Sequence, residues 1–130
     1  MVLDKKKKIK WIVVILSSFV FLVITICVII VSQRELPNDD LRLAREALSE
    51  AKEAEADVYS ESKYNQAVQT YETAMKGWSR ENDRFILVRD YAYVISSARK
   101  SKKIADESKE ESIAKADDLS KNVDAAFVAM

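Results

Sequence analysis

The chain has 130 residues with one glycine, one proline, one cysteine and no histidine, and its 21 basic residues balance 21 acidic ones. Without histidine there is no imidazole base, no Ser/His/Asp or Cys/His arrangement and no imidazole metal ligand. Glycine and proline, the usual punctuation of turns, are nearly missing. The Ala, Glu, Lys, Leu and Ser that dominate after residue 40 favour helix, so the expected fold class is all-α.

Charge is unevenly placed. Lys5, Lys6, Lys7, Lys8 and Lys10 stand with Asp4 in the first ten residues, so +4 there is offset by −4 in the remainder. Residues 11–32, WIVVILSSFVFLVITICVIIVS, contain no charge. At about 1.5 Å per residue such a helix reaches roughly 33 Å, enough to cross a bilayer core. The expected layout is a cytoplasmic basic tail at 1–10 and a transmembrane helix at 11–32. The five lysines are the topology signal, and Arg34, Glu35, Asp39 and Asp40 follow on the extracytoplasmic side. A cleaved signal is the alternative, but its apolar core normally runs about 7–15 residues before a small-x-small site, and this one is longer and ends IIVSQ. Cys27 follows Ile26 inside continuing apolar sequence, a poor lipobox, and a lone cysteine forms no internal disulfide. It reads as a small apolar membrane residue.

Residues 33–40 form a polar linker in which Pro37 favours a break and Asn38 or Asp39 can cap the next helix. From Leu41 to Val58 apolar residues recur at helical spacing as Leu41, Ala44, Leu48, Ala51 and Val58, widened by Ala47 and Ala54. Arg42, Arg45, Glu46, Glu50, Lys52 and Glu53 take the other side. The stretch YSESKYNQAVQTYETAMKGW then places Tyr64, Tyr71 and Trp78 seven residues apart, with Ala67 and Ala74 between them and Val68 and Met75 alongside. With Ser60 or Ser62 as N-cap and a short junction near Tyr59, this predicts an antiparallel hairpin in which rings of the second helix fill space left by alanines of the first. Its expected core is Leu41, Ala44, Leu48, Ala51, Tyr64, Ala67, Tyr71, Ala74 and Trp78.

SREND at 79–83 interrupts the pattern, and Asn82 or Asp83 is expected to cap a third helix starting near Phe85. That helix carries two apolar stripes, Phe85, Val88, Ala92, Ile95 and Leu87, Tyr91, Val94, Ala98, a broad face suited to burial against both earlier helices or against one of them and a partner. Residues 99–111, RKSKKIADESKEE, are charged, with Lys102/Asp106 and Lys103/Glu107 at i,i+4 each supporting helix by about 0.2–0.5 kcal/mol. Ile113, Ala116, Val123, Phe127 and Met130 then recover an apolar stripe, so the third helix is expected to run past the bundle. The predicted division is a helical bundle at 41–98 and a charged helical extension at 99–130, with the end AAFVAM either a contact or a disordered tail. A core of about sixty residues buries only about 60% of its unfolded surface, so association would stabilise it. The candidate partner surface is Phe85, Leu87, Tyr91, Val94, Ala98, Val123 and Phe127.

Catalytic patterns are weak. Ser-x-x-Lys, the spacing of serine-lysine acylating enzymes, occurs at Ser60/Lys63, Ser97/Lys100 and Ser112/Lys115, but the Lys-Thr-Gly and Ser-Asp-Asn elements that accompany it are absent and a Ser- and Lys-rich helix makes it by chance. Asp39/Asp40, Glu110/Glu111 and Asp117/Asp118 are neighbours that point about 100° apart on a helix, hence caps and solvated charges rather than an acid/base pair or metal ligands. Gly77 alone cannot build a phosphate-cradling loop. The lysines before the membrane segment can attract anionic headgroups, and the run 99–103 is neutralised by the acids that follow it.

Residues 59–74 resemble the second half of a tetratricopeptide repeat, with Tyr64, Ala67, Tyr71 and Ala74 at its packing positions. Glu55 stands where that repeat usually has glycine and Ser79 near its usual proline, and a single repeat implies no peptide groove. Residues 41–116 are similar to the small helical envelope domains of the domain of unknown function family 4398. The likeness rests on the anchor, the Ala-rich helix LRLAREALSEAKEAEA, a Tyr-x-x-Ala-x-x-x-Tyr-x-x-Ala helix and a further helix. It implies a bacterial envelope protein and no particular activity.

The reading is a non-catalytic scaffold or adaptor held in a bacterial inner membrane by one span, N-terminus cytoplasmic and helical domain periplasmic, which docks another envelope protein or itself. No cofactor, metal, nucleic acid or small-molecule substrate is expected; the bilayer is a partner. The alternatives are a small-ligand sensor module, which ten cytoplasmic residues leave without an output domain, and a lipoprotein-like structural envelope protein.

Overall fold

The computed structural model describes residues 2–130, which form five α-helices and one 3-10 turn, with no strand among the described residues. Met1, the first residue of the expected basic tail, lies outside them. The chain divides into two compact units, Met1–Glu35 and Leu36–Met130.

The first unit is α1 (Val2–Ser32). The lysines form no separate tail but occupy the opening turns of the same helix, as good helix formers can. Between Asp4 and Ser32 the helix is long and apolar enough to cross a membrane, with a mean hydropathy of 3.2 over an 18-residue window, and the same properties suit a signal sequence. Trp11, Phe19, Phe21 and Leu22 are all exposed on it. A helix apolar all round has no face of its own to put in water. Thr25 satisfies its hydroxyl internally by donating to the Phe21 carbonyl at 2.8 Å.

The second unit holds α2 (Asn38–Glu53), α3 (Ala56–Tyr59), α4 (Glu61–Asn82) and α5 (Ala92–Val128). The polar linker is shorter than expected. Pro37 is itself the N-cap of α2, so Asn38 and Asp39 fall inside the first turn and make no side-chain cap; their place near the helix N-terminus still suits an acidic residue. Helix α2 ends where the Ala54 N–H donates to Glu50 and the Glu55 N–H to Lys52. Glu55 then takes a left-handed conformation, φ 59°, ψ 31°, and is the one non-glycine residue with positive φ among the described residues. The single turn α3 leads into α4, whose N-cap is Ser60.

Two sets of contacts fix the directions. Arg99 Nε donates to Asp40 Oδ1 at 2.8 Å and Lys109 Nζ to Glu50 Oε2 at 2.7 Å, each pair 59 residues apart, so α2 and α5 run the same way. Ser101 Oγ donates to the Ala67 carbonyl at 2.7 Å and Lys63 Nζ reaches Glu111 at 2.7 Å, while Gly77 lies against Tyr93 and Val94; α4 therefore runs opposite to α5. Small residues permit the close approach. A Cβ placed on Gly77 would sit 3.2 Å from Val94 Cγ2.

From the N-cap of α5 onward, Tyr91, Val94, Ala98, Ser101, Ala105, Ser108 and Ser112 are buried in alternating steps of three and four along one seam, which Ile95 and Ser97, also buried, widen. This period keeps a single stripe of helix facing its neighbours. Burial thus does not stop at Ala98, and the division expected between 98 and 99 is not a boundary of packing. The serines stay inside because each can bond locally or across: Ser108 Oγ donates to Ala105 O at 2.9 Å and Ser112 Oγ to Ala54 O. Two clusters make up the core, one of Leu41, Ala44, Ala74, Tyr91, Val94, Ile95 and Ala98, the other of Ala47, Ala51, Ala56, Ala67 and Ala105.

The third long helix begins later than expected, at Ala92 rather than near Phe85. Phe85 and Arg89 are extended and flank a 3-10 turn, Ile86–Val88. The cause is the polar frame around them. Arg89 Nη2 donates to Asn82 O at 2.7 Å and Nε to Arg84 O at 2.9 Å, and the Asp90 N–H donates to Glu81 Oε2 at 2.9 Å. Asn82 accepts the Tyr91 hydroxyl at 2.7 Å instead of capping a helix, and Asp90 Oδ1 accepts the Ala92 N–H at 2.9 Å. Asp90, not Asn82 or Asp83, serves the helix start.

Candidate functional site

The three Ser-x-x-Lys pairs are absorbed by packing. Ser60 is buried with its hydroxyl unpartnered among the described residues, and Lys63 is held by Glu111 at 2.7 Å. The hydrogen bond and charge of Glu111 raise the Lys63 pKa above its ordinary value, whereas a lysine that takes a proton from serine must have its pKa lowered. Ser97 is buried in the α5 seam and Lys100 is exposed. Ser112 is spent on Ala54, and Lys115 donates to Tyr59 O at 2.9 Å and to Glu111 at 2.8 Å. No group of three or more His, Cys, Asp or Glu placed to hold a metal ion occurs among the described residues.

Glu111 is the electrostatic hub of this region. Hydrogen bonds from Lys115 and Lys63 hold its carboxyl down to about 2, against the smaller opposing effect of burial. Because Lys63 lies on α4 and Lys115 also binds the end of α3, one carboxylate ties three elements together.

The expected hairpin core is all inside or half-inside. Leu41, Ala44, Ala51, Ala67 and Ala74 are buried, and Leu48, Tyr64, Tyr71 and Trp78 are partly buried against the two clusters. The rings, however, are not the centre. Ala67, Ala74 and Gly77 are buried on α4 where it packs on α5, and Tyr71 and Trp78 lie half-buried beside α2. There Tyr71, Met75 and Trp78 face Leu41, Arg42 and Arg45 across an open groove of about 250 Å³. Gln66, Gln69, Thr70, Thr73, Tyr93, Ser96, Ser97 and Lys100 line a second, polar depression.

The candidate partner surface splits. Tyr91, Val94 and Ala98 are buried in the unit's own core and offer nothing to a partner, because the seam that carries them packs on α2 and α4. Phe85, Leu87, Val123 and Phe127 remain exposed, but in two places. Phe85 and Leu87 belong to the turn between α4 and α5, where Ile86 and Val88 are exposed as well. Val123 and Phe127 lie on the far end of α5 with Ile113 and Leu119. The exposure of Ile86 and Val88 had no separate signal in the sequence, since a helix from Phe85 would have turned Val88 inward. Leu119 could have been found from its spacing to Val123.

Comparisons of the chain with protein-family models, curated proteins and solved structures give no match.

Proposed function

We propose that this chain is a single-pass protein of a bacterial inner membrane, with its lysines cytoplasmic and residues 36–130 in the periplasm. In this reading α2, α4 and α5 act as a three-helix bundle with an antiparallel α2/α4 hairpin, a non-catalytic scaffold that docks another envelope protein. The likeness to family 4398 envelope domains belongs to the same proposal.

The reading is carried chiefly by the end of α5. The ammonium of Lys115 donates to Tyr59 O at the end of α3, and about 20 Å of helix extends beyond it. Leu119, Val123 and Phe127 line that stretch in the open, with Phe127 70% exposed. Apolar positions four apart on one face, as at 119, 123 and 127, are what a helix lays into a partner's groove. Anchoring on one membrane raises the local concentration of both partners, so a modest interface suffices.

In-cell photocrosslinking from Phe127 and Val123, with Lys103 as a control position, tests it. The expected result is one heterologous protein adduct from 123 and 127 that is lost on Leu119→Asp. Absence of any adduct overturns the scaffold reading, and an adduct with a second copy alone replaces it with self-association.

A further inference from the structure

We propose that the turn at residues 84–89 is a membrane-contacting tip, and that the apolar side chains of residues 85–88 enter the interfacial layer of the leaflet from which the chain emerges. The proposal rests on the reading of α1 as a membrane anchor.

Four consecutive apolar residues are displayed at the turn, Phe85 at 69% and Val88 at 59% exposure, while the half-buried Arg89 donates to the carbonyls of Asn82 and Arg84 and the buried Glu81 accepts the Asp90 N–H. Scattered exposed apolar residues are ordinary on soluble domains, but a contiguous run held outward by a hydrogen-bonded frame marks a contact surface. Position in the fold selects the partner. Asp40, near the start of α2, pairs with Arg99, so the first turns of α5, from Ala92, project about 10 Å past that level, with the turn beyond them. That is the end at which the chain enters the unit. Residues 33–37 separate α1 from α2, and a chain of that length reaches at most about 20 Å in any orientation. A tether of that length leaves the tip within reach of the bilayer surface. Leu36, at the entry itself, is 64% exposed and adds to the same apolar end.

Charge does not direct the contact. Arg80, Arg84 and Arg89 are matched near the turn by Glu81, Asp83 and Asp90, so burial of apolar surface drives insertion and zwitterionic lipid suffices. The arginine stems can lie along the interface with their guanidinium groups in the headgroup layer.

The test uses the full chain carrying Cys27→Ser, reconstituted in phosphatidylcholine vesicles, with a spin label on Leu87→Cys, Phe21→Cys or Glu107→Cys in turn. Accessibility to oxygen and to a water-soluble nickel chelate is compared. Labels at 21 and 87 are expected to favour oxygen over the chelate several-fold more than the label at 107, and Val88→Cys repeats the measurement should Leu87→Cys disturb the turn. If 21 is lipid-buried but 87 and 88 are as open to the chelate as 107, the tip proposal is overturned and the anchor reading stands. A chelate-accessible label at 21 overturns the anchor reading and the tip with it. Shielding of 87 from both reagents overturns the tip in favour of contact between two copies.

Discussion

The side chain of Glu81, a residue only 8% exposed at the end of α4, accepts the backbone N–H of Asp90 at 2.9 Å just before α5 begins. This bond, helped by Arg84, holds the Glu81 carboxyl below the usual carboxylate range. One side chain thus closes a turn whose own residues are apolar and exposed.

Replacing Glu81 by Gln leaves a weaker neutral acceptor, and Glu81→Ala leaves none. Both are expected to loosen the turn locally, Ala more than Gln. Amide exchange at Asp90 and Ala92 should accelerate while amides in the α5 seam, such as Ala98 and Ala105, keep their protection. Unchanged exchange at Asp90 in Glu81→Ala would show that the Arg89 bonds alone hold the turn.

Acid should weaken the second unit in a defined window. The Glu111 pKa is lowered from 4.5 to about 2 in the folded chain, so its contribution is complete above about pH 5 and is lost as pH falls through the folded value. The urea midpoint of the detergent-solubilised chain should drop between pH 5 and pH 2. Glu111→Gln should flatten part of that slope while lowering the midpoint at pH 7. Glu81, also lowered, keeps a remainder of the slope in the variant.

Glu55 occupies a conformation in which a side chain crowds the following carbonyl. A glycine there removes the penalty, so Glu55→Gly is expected to stabilise the unit by about 1 kcal/mol in urea unfolding. Glu55→Val should destabilise it, because a β-branched residue tolerates positive φ least.

The α5 seam predicts a size limit. Ser101 is fully buried and its hydroxyl bonds to Ala67 O, so Ser101→Ala should cost about 0.5–1.5 kcal/mol. Ser101→Leu must push α4 and α5 apart and should cost about 1–3 kcal/mol. Gly77→Leu should behave likewise, since even a Cβ would meet Val94 Cγ2 at 3.2 Å. Chemical unfolding of the three variants gives the ranking, and an equal effect of Ala and Leu at 101 would contradict a tight seam.

Apolar spacing made the helical class, the long apolar helix and the buried alanines of α2 and α4 legible. It misplaced the end of the core because Ser101, Ser108 and Ser112 are polar by type yet small enough to lie between helices when their hydroxyls find a carbonyl. Their three-and-four spacing from Ala98 and Ala105 was visible in the sequence; that small polar residues could continue an apolar seam was not. The start of α5 was misplaced for a different reason. FILV at residues 85–88 reads as helix by apolarity, but the decision lies in side-chain bonds from Glu81, Arg89 and Asp90, which spacing does not encode. The rings at Tyr64, Tyr71 and Trp78, expected in the hairpin core, are half-buried against the two clusters, which small residues mostly make up.

The common direction of α2 and α5 makes α5 a measuring rod. Its 37 residues span about 55 Å in one unbroken helix, so the apolar stripe near Phe127 is carried about 40 Å from the level of Asp40, at a distance set by residue count alone. Adding seven residues after Ala116 would advance that stripe by about 10 Å with little change of azimuth, whereas adding five would swing it to the opposite side of the rod.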